Sequence, residues 1–343
     1  MDCPLPISRY DKIVMGHGSG GTLSAALLRQ VFLPAFSNDL LAKLEDQASV
    51  TVDAARIAFT IDSFVVRPLF FPGGDIGKLA IHGTVNDLAV GGATPKFIAG
   101  AFILEEGFPI ADLDRIVASM KAACAEAGVQ LVTGDTKVVE RGKGDGVYIT
   151  TAGIGVLRPG AALSVHAVKP GDRILVSGTL GDHGIAIMST REGIEFETKL
   201  ESDTAPLHGL AAAVMDAAPG LRCMRDPTRG GLSSTLNEIA AASKVGIEIA
   251  ESALPIRPQV KAACEMLGLD PLYVANEGKL VAVVPADQAD RALAAMKAHP
   301  RGRDAALIGK AVPEYPGMVV MTSKIGGSRV VTMLAGEQLP RIC

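Results

Sequence analysis

The chain has no lysine- or arginine-rich run, no C-x-x-C pair, no long apolar segment and no Walker-type phosphate loop. Each absence removes a class of function. A net charge of −4 and the lack of a basic cluster argue against a nucleic-acid footprint. The cysteines are Cys3, Cys124, Cys223, Cys264 and Cys343, an odd set with no metal-ligand spacing. That argues against both a disulfide framework and a zinc site, and it fits a reducing cytoplasm. Apolar runs such as residues 280–284 are far shorter than the roughly 20 residues that span a bilayer. Met1-Asp2-Cys3-Pro4 is not a basic segment leading into an apolar one, so no signal peptide is expected.

What is present is the balance of a globular protein, 48% apolar and 20% charged over 343 residues. That length suits one large or two ordinary domains with ample core. Gly16-His17-Gly18-Ser19-Gly20-Gly21 leaves many backbone N–H groups free to approach an anion. Gly16, Gly18 and Gly21 also satisfy G-x-G-x-x-G, with Asp39 near the distance of a ribose-binding acid. Only Ile13-Val14-Met15 precedes them, which is thin for a dinucleotide fold. A phosphate-covering loop, a dinucleotide turn and a floppy N-terminal loop all remain open at this point.

Periodicity then marks the elements. Residues 56–66 alternate as a strand carrying Asp62, and 75–95 read as a helix carrying Asn86 and Asp87, stopped by Gly91-Gly92 and Pro95. A second helix over 113–127 places Cys124 on its apolar stripe. The strand 129–132 ends in Thr133-Gly134-Asp135-Thr136-Lys137, and 148–156 is another strand. Pro159-Gly160 and Pro170-Gly171 bracket a joint between domains. A strand over 172–178 then runs into a second small-residue turn, 178–184, and a helix follows at 207–218. Asp226 and Arg229 meet a glycine pair at the start of the next helix, where Asp226 as a simple N-cap is the plainer reading. Asn276-Glu277-Gly278 precedes a strand at 279–284, and a hairpin over 318–323 and 329–334 releases the tail.

That tail ends in Pro340-Arg341-Ile342-Cys343. No residue follows the sulfur, so prenylation is excluded. Taken alone, a frayed end is the better reading of such a cysteine. Four carboxylates at element ends or in polar pairs (Asp62, Asp87, Asp135 and Asp226) repel unless cations lie between them. With two glycine-rich loops they point to a magnesium-nucleotide site without a P-loop, working by positioning and charge neutralisation.

GHGSGG, IHGTVNDLAVGGATP at 81–95, TGDTKVV at 133–139, DPTRGGL at 226–232, NEG at 276–278 and the final PRIC run in order over nearly the whole chain. Together they resemble the HypE family of hydrogenase maturation proteins. This family lies in the aminoimidazole ribonucleotide synthetase-like (PurM-like) superfamily, with thiamine-monophosphate kinase and selenophosphate synthetase. PRIC separates it from the others, and no cysteine stands beside the glycine loop as selenophosphate synthetase would require.

The resemblance implies a two-domain α/β (α+β) fold. Residues 1–160 would form an ATP-binding and dimerisation domain whose mixed sheet joins a second copy in a barrel. Residues 170–334 would form the C-terminal α/β domain, and 335–343 a flexible tail. It implies that a carbamoyltransferase, HypF, loads Cys343 and that ATP drives dehydration of the carbamoyl group to a thiocyanate. The cyano group then passes to iron on a HypC–HypD complex, toward a nickel–iron hydrogenase. With it, Asp62, Asp87 and Asp135 are assigned to Mg²⁺ and Asp226 to the metal and phosphates. Residues Gly16, His17, Gly18, Ser19, Gly20 and Gly21, with Asn86, Thr136 and Arg229, are assigned to ATP. Lys137 is assigned as general base because a desolvated lysine loses its proton readily, with a phosphate or carboxylate partner as its alternative. Asn276 and Glu277 would hold the carbamoyl amide. The rivals are another ATP-dependent enzyme of this superfamily, a Rossmann dehydrogenase, and a scaffold that only presents its tail.

Overall fold

The computed structural model describes Gly16, residues 21–36, 38–53, 55–193, 200–334, Gly336, Leu339 and 341–343. In chain order the elements are α1 (Thr22–Leu27), α2 (Leu33–Phe36), β1 (Ala48–Val52), β2 (Ala55–Phe64), β3 (Phe70–Phe71), β4 (Gly74–Asp75), α3 (Ile76–Val90), β5 (Ala93–Glu105), α4 (Ile110–Ala127), β6 (Gln130–Val139) and β7 (Val147–Leu157). The second half holds β8 (Arg173–Val176), α5 (Asp182–Glu192), α6 (His208–Ala217), β9 (Cys223–Arg225), α7 (Gly231–Ser243), β10 (Gly246–Ala250), α8 (Pro258–Leu267), β11 (Val281–Val284), α9 (Ala289–Ala298), β12 (Ala306–Val312), β13 (Val319–Thr322) and β14 (Ser328–Val331).

Two sheets organise them. The first runs β1-β2-β7-β5-β6, antiparallel except for the β5–β6 pair. The second runs β14-β13-β10-β12-β8-β11-β9, antiparallel except for β10–β13. No described strand joins the two sheets, and the segment 157–173 crosses between them. The expected strand at 129–132 is longer than the sequence suggested. It continues as β6 through Asp135 to Val139, because its backbone pairs with β5 along that whole length.

Helix α3 is the hub. Thirteen of its fifteen residues are buried, including the polar His82, Thr84 and Asn86. A helix covered on all sides must lie between layers rather than on a surface, and α3 packs under the first sheet, against α4 and against α6. Asp75 caps its start by accepting from the N–H groups of Gly77 and Lys78 at 2.7 and 3.0 Å. At Gly77 a Cβ would lie 2.5 Å from the Ile116 carbonyl oxygen, so only glycine lets α4 approach this closely. Behind α3, Asn86 joins the two halves of the chain. Its amide donates to Ala205 O at 3.0 Å and accepts from Leu207 N–H at 2.8 Å.

Candidate active site

A cleft opens where β2, α3 and the loops of the second sheet meet. Its cavity volume is about 260 Å³, a little below the range of ordinary ligand pockets. Strand alternation supplies one wall. Thr60, Asp62 and Phe64 turn inward from β2, while Phe59 and Ile61 point outward, 44% and 61% exposed. Asp87 comes from the last turn of α3, and Asp46 from the segment before β1. Asp226 and Arg229 come from the loop between β9 and α7, and Glu277 from the loop before β11. That β9–α7 loop ends in Gly230 and α7 opens with Gly231, both left-handed. A Cβ on Gly231 would also lie 2.6 Å from the Leu272 and Val274 carbonyl oxygens. Glycine is therefore required both by conformation and by close packing.

Asp46, Asp87 and Asp226 bring carboxylate oxygens within 4.8 Å of one another. Burial pushes all three above the usual carboxylate range, and the surrounding acids add repulsion: Asp226 and Asp46 on Asp87, Asp62 on both Asp87 and Asp226. For Asp226 the value is pushed up to about 6. The opposing groups are Arg225, paired with Asp46 at 2.7 Å and with Glu238 at 2.8 Å, and Arg229. Thr60 places its hydroxyl 2.7 Å from Asp87 Oδ2. A buried set of three oxygen donors that resists ionisation by itself is a set suited to a divalent cation. Asp46 was not singled out in the sequence, where it reads as one acid of a surface-like Leu44-Glu45-Asp46 stretch.

The tail enters the same cleft. Ile342 is buried in the core beneath β2 and α3, and Cys343 is half-buried beside it. Four contacts reach the backbone of the last residues, one of them from Arg191 Nη2, which donates to Arg341 O at 3.0 Å. Arg67 N–H donates to Arg341 O at 3.1 Å, Val65 N–H to Cys343 O at 3.2 Å, and His183 Nε2 lies 2.8 Å from Ile342 O. The Arg341 side chain pairs with Asp145, and its Nε donates to Val65 O at 3.0 Å. The thiol lies beside Glu277 in the cleft, and burial together with that carboxyl pushes it above the ordinary thiol range. Glu277 is itself raised, by burial first and then by Asp226, Asp203 and Asp62, and its Oε1 has no hydrogen-bond partner.

Residues 44–157 match the family of the AIR synthase related protein, N-terminal domain, and residues 169–320 that of the AIR synthase related protein, C-terminal domain. Carbamoyl dehydratase HypE of Azotobacter vinelandii is 57% identical over 335 residues, 98% of each chain. The chain belongs to the HypE family. Among solved structures, a HypE–HypF complex matches with a TM-score of 0.86 at 50% identity, over 90% of this chain and 100% of that one. HypE in complex with ATP matches at 0.82 and 46%, over 97% and 100%.

Set beside the residues expected from the HypE resemblance, the cleft gathers only some of them. Asp62, Asp87, Asp226, Arg229, Glu277 and Cys343 line it. Asp135, Thr136 and Lys137 do not. They lie on β6, exposed and at the far edge of the first sheet, where Lys137 Nζ pairs with Asp135 at 2.9 Å. The strand reading of 129–132 had placed Asp135 at a strand end. Pairing with β5 instead keeps it within the sheet. Asn86 and Asn276 carry structural hydrogen bonds. Asn276 accepts from Gly181 N–H at 2.7 Å and donates to Pro227 O at 3.0 Å, so its amide is occupied within the fold. Asp226 is no N-cap, because α7 begins after Gly230. Gly16 is buried, and Gly21 leads into α1 with Thr22 N–H donating to Leu334 O at 2.9 Å. His17, Gly18, Ser19 and Gly20 lie outside the described residues, as does the expected strand 13–15.

Proposed function

We propose that this chain is an ATP-dependent carbamoyl dehydratase that acts on its own Cys343. The observation that carries the reading is the docking of the Cys343 thiol against Glu277, in the cleft that holds three mutually repelling aspartates. An amide oxygen is a poor leaving group. Transfer of the γ-phosphoryl group of ATP to the S-carbamoyl oxygen makes phosphate the leaving group. Loss of phosphate and two N–H protons turns S–C(=O)NH₂ into S–C≡N.

Asp46, Asp87 and Asp226 would hold Mg²⁺, with Asp62 beside them. The bound ion would neutralise phosphate charge and orient the γ-phosphoryl group. Arg229 faces the same space and would balance developing negative charge. Glu277, with one oxygen unpaired, would accept a carbamoyl N–H and hold the amide toward the nucleotide. The glycine-rich loop 16–21 would cover the phosphates.

Asp135, Thr136 and Lys137 act in this reading through a second copy. The outward face of the first sheet carries Phe59, Ile61, Phe97, Ile154 and Val156, all exposed, and β6 is exposed on nearly every residue. An apolar sheet face of this extent, with an open edge, favours a partner. Two copies joined face to face would bring β6 of one toward the β1–β2 side of the other, where the cleft lies. Lys137 would then serve as general base for the neighbouring site.

In this reading residues 1–160 form the nucleotide and dimer domain, 170–334 the second domain and 335–343 the substrate-bearing tail. HypF supplies the carbamoyl group, and a HypC–HypD complex receives the cyanide in the cytoplasm. No described helix is long and apolar enough to cross a membrane. The decisive experiment is the intact mass of the protein after incubation with the carbamoylating partner and then with ATP and Mg²⁺. A gain of one carbamoyl group followed by loss of one water is expected. A carbamoylated chain that stays unchanged with ATP while ATP is bound would leave only the scaffold reading.

A further inference from the structure

His183 stands in the small-residue turn at the start of α5, a motif that no step above uses. It is fully buried, and both ring nitrogens are engaged. Nε2 lies 2.8 Å from Ile342 O, which can only accept, so Nε2 carries the hydrogen. Nδ1 lies 2.7 Å from Ser202 Oγ. With the hydrogen on Nε2, Nδ1 of the neutral ring is an acceptor, and the Ser202 hydroxyl, which also accepts the Thr204 N–H at 3.1 Å, donates to it. Thr204 N–H, Ser202 and His183 thus form one directed chain of donors ending on the tail. The chain selects the neutral ring with Nε2–H, and burial favours that neutral form.

The direction matters because of how the tail is held elsewhere. Arg341 and Cys343 bond the backbone of Arg67 and Val65 on one edge, as in an antiparallel pair. Ile342 O points to the opposite edge, where His183 meets it. A strand held on one edge alone slips by a residue easily, and a one-residue slip reverses every side chain. Here a slip would bring Ile342 to the place of the thiol. The Arg341–Asp145 pair, the Arg191 bond to Arg341 O and the burial of Ile342 hold the register from the first edge and the core, and His183 adds the hold on the second edge.

We propose that His183 is a positioning residue of the dehydration: its Nε2–H, oriented by Ser202, fixes the register of the docked tail so that the sulfur of Cys343 stands at Glu277. The inference rests on the carbamoyl dehydratase reading, and the parent protein controls for it. If the parent, once S-carbamoylated, loses no water with ATP, that reading fails, whatever the variants do.

With an active parent, three full-length variants test the inference. His183→Phe keeps the ring and its edge contact with Phe71, whose centroid is 5.6 Å away, but has no donor. His183→Gln restores an N–H toward Ile342 and an acceptor toward Ser202. Ser202→Ala leaves the ring in place and removes what sets its tautomer. Two quantities are measured: the single-turnover rate of water loss by intact mass, and the dissociation constant for ATP. The Phe variant is expected to dehydrate about tenfold more slowly, the effect of one lost buried hydrogen bond, with ATP affinity within about twofold of the parent. The Gln variant should recover most of that loss, and Ser202→Ala should slow the reaction about threefold. Equal losses in Phe and Gln would make His183 a packing residue and overturn the proposal. So would a parental rate in Ser202→Ala, an arm that decides the matter even if the Phe variant does not fold.

Discussion

Two groups of acids in this chain look alike in the sequence and are opposites in the structure. Asp46, Asp87 and Asp226 crowd a buried cleft, and burial with mutual repulsion raises each of them. Asp135 stands on the exposed strand β6, and its hydrogen bond from Lys137 lowers it. The first group stores an unfavourable interaction that a cation would relieve. The second is already neutralised by its neighbour and surrounded by water, and it stabilises the isolated chain little. Charge density in a sequence therefore says less than what surrounds each charge.

The comparison can be broken most sharply at the cleft. Cys343→Ala is expected to abolish both carbamoyl loading and cyanide formation while ATP binding persists. Intact mass and a binding titration measure the two, and a carbamoylated Cys343→Ala protein would place the carrier elsewhere. Asp87→Asn and Asp226→Asn should each lower dehydration about a hundredfold or more, the scale of a lost electrostatic contact to the transferring group, and should weaken binding of Mg-ATP. Parental activity in either would remove that aspartate from the metal site.

A smaller, conditional effect is expected at β6. Lys137→Met should lower the rate by about a hundredfold if it supplies general-base catalysis. Mixing Lys137→Met with Asp226→Asn should restore a measurable fraction of activity, because in a mixed pair one site holds both intact groups. A mixture as inactive as its components would confine Lys137 to its own chain or to no role.

Smaller still is the effect of pH on stability without metal. Asp226 keeps its proton up to about pH 6 in the cleft, since burial disfavours its charged form. The unfolded chain releases that proton in the ordinary carboxylate range. The folded state thus binds more protons across this window, and stability falls as pH rises through it. The metal-free protein should melt several degrees lower at pH 7 than at pH 5, Mg²⁺ should restore it at pH 7, and Asp226→Asn should flatten the slope. A melting temperature indifferent to both pH and Mg²⁺ would sink the account of stored repulsion. Asp135→Asn, by contrast, should leave the melting temperature unchanged in the same assay.

Much of the chain was legible before any coordinates. Apolar periodicity located α3, α4, α7, β2 and the terminal hairpin to within a few residues, because local spacing fixes which face is buried. Motif order over the whole chain identified the HypE family, and with it the α/β fold. The site was legible only in part. Asp62, Asp226, Arg229 and Glu277 stood out as polar residues at element ends and Asp87 as one of a polar pair within a helix, and all of them line the cleft. Asp46 did not, since nothing local distinguishes an acid that folds inward from one that stays in solvent. Asn86 was legible as half of an inward polar pair and Asn276 only through the family motif; in the fold both amides bond backbone groups, which no local pattern announces.

By itself, then, the sequence determined the elements, the family and the presence of a thiol on a short arm, because each depends on residues near one another in the chain. Tertiary structure decided which acids share a cleft, that Asp135 and Lys137 face away from it, and that the arm lies docked with His183 on its second edge. Those outcomes rest on groups more than a hundred residues apart, such as His183 and Ile342. Their meeting is set by the packing of α3 between two sheets rather than by any local pattern.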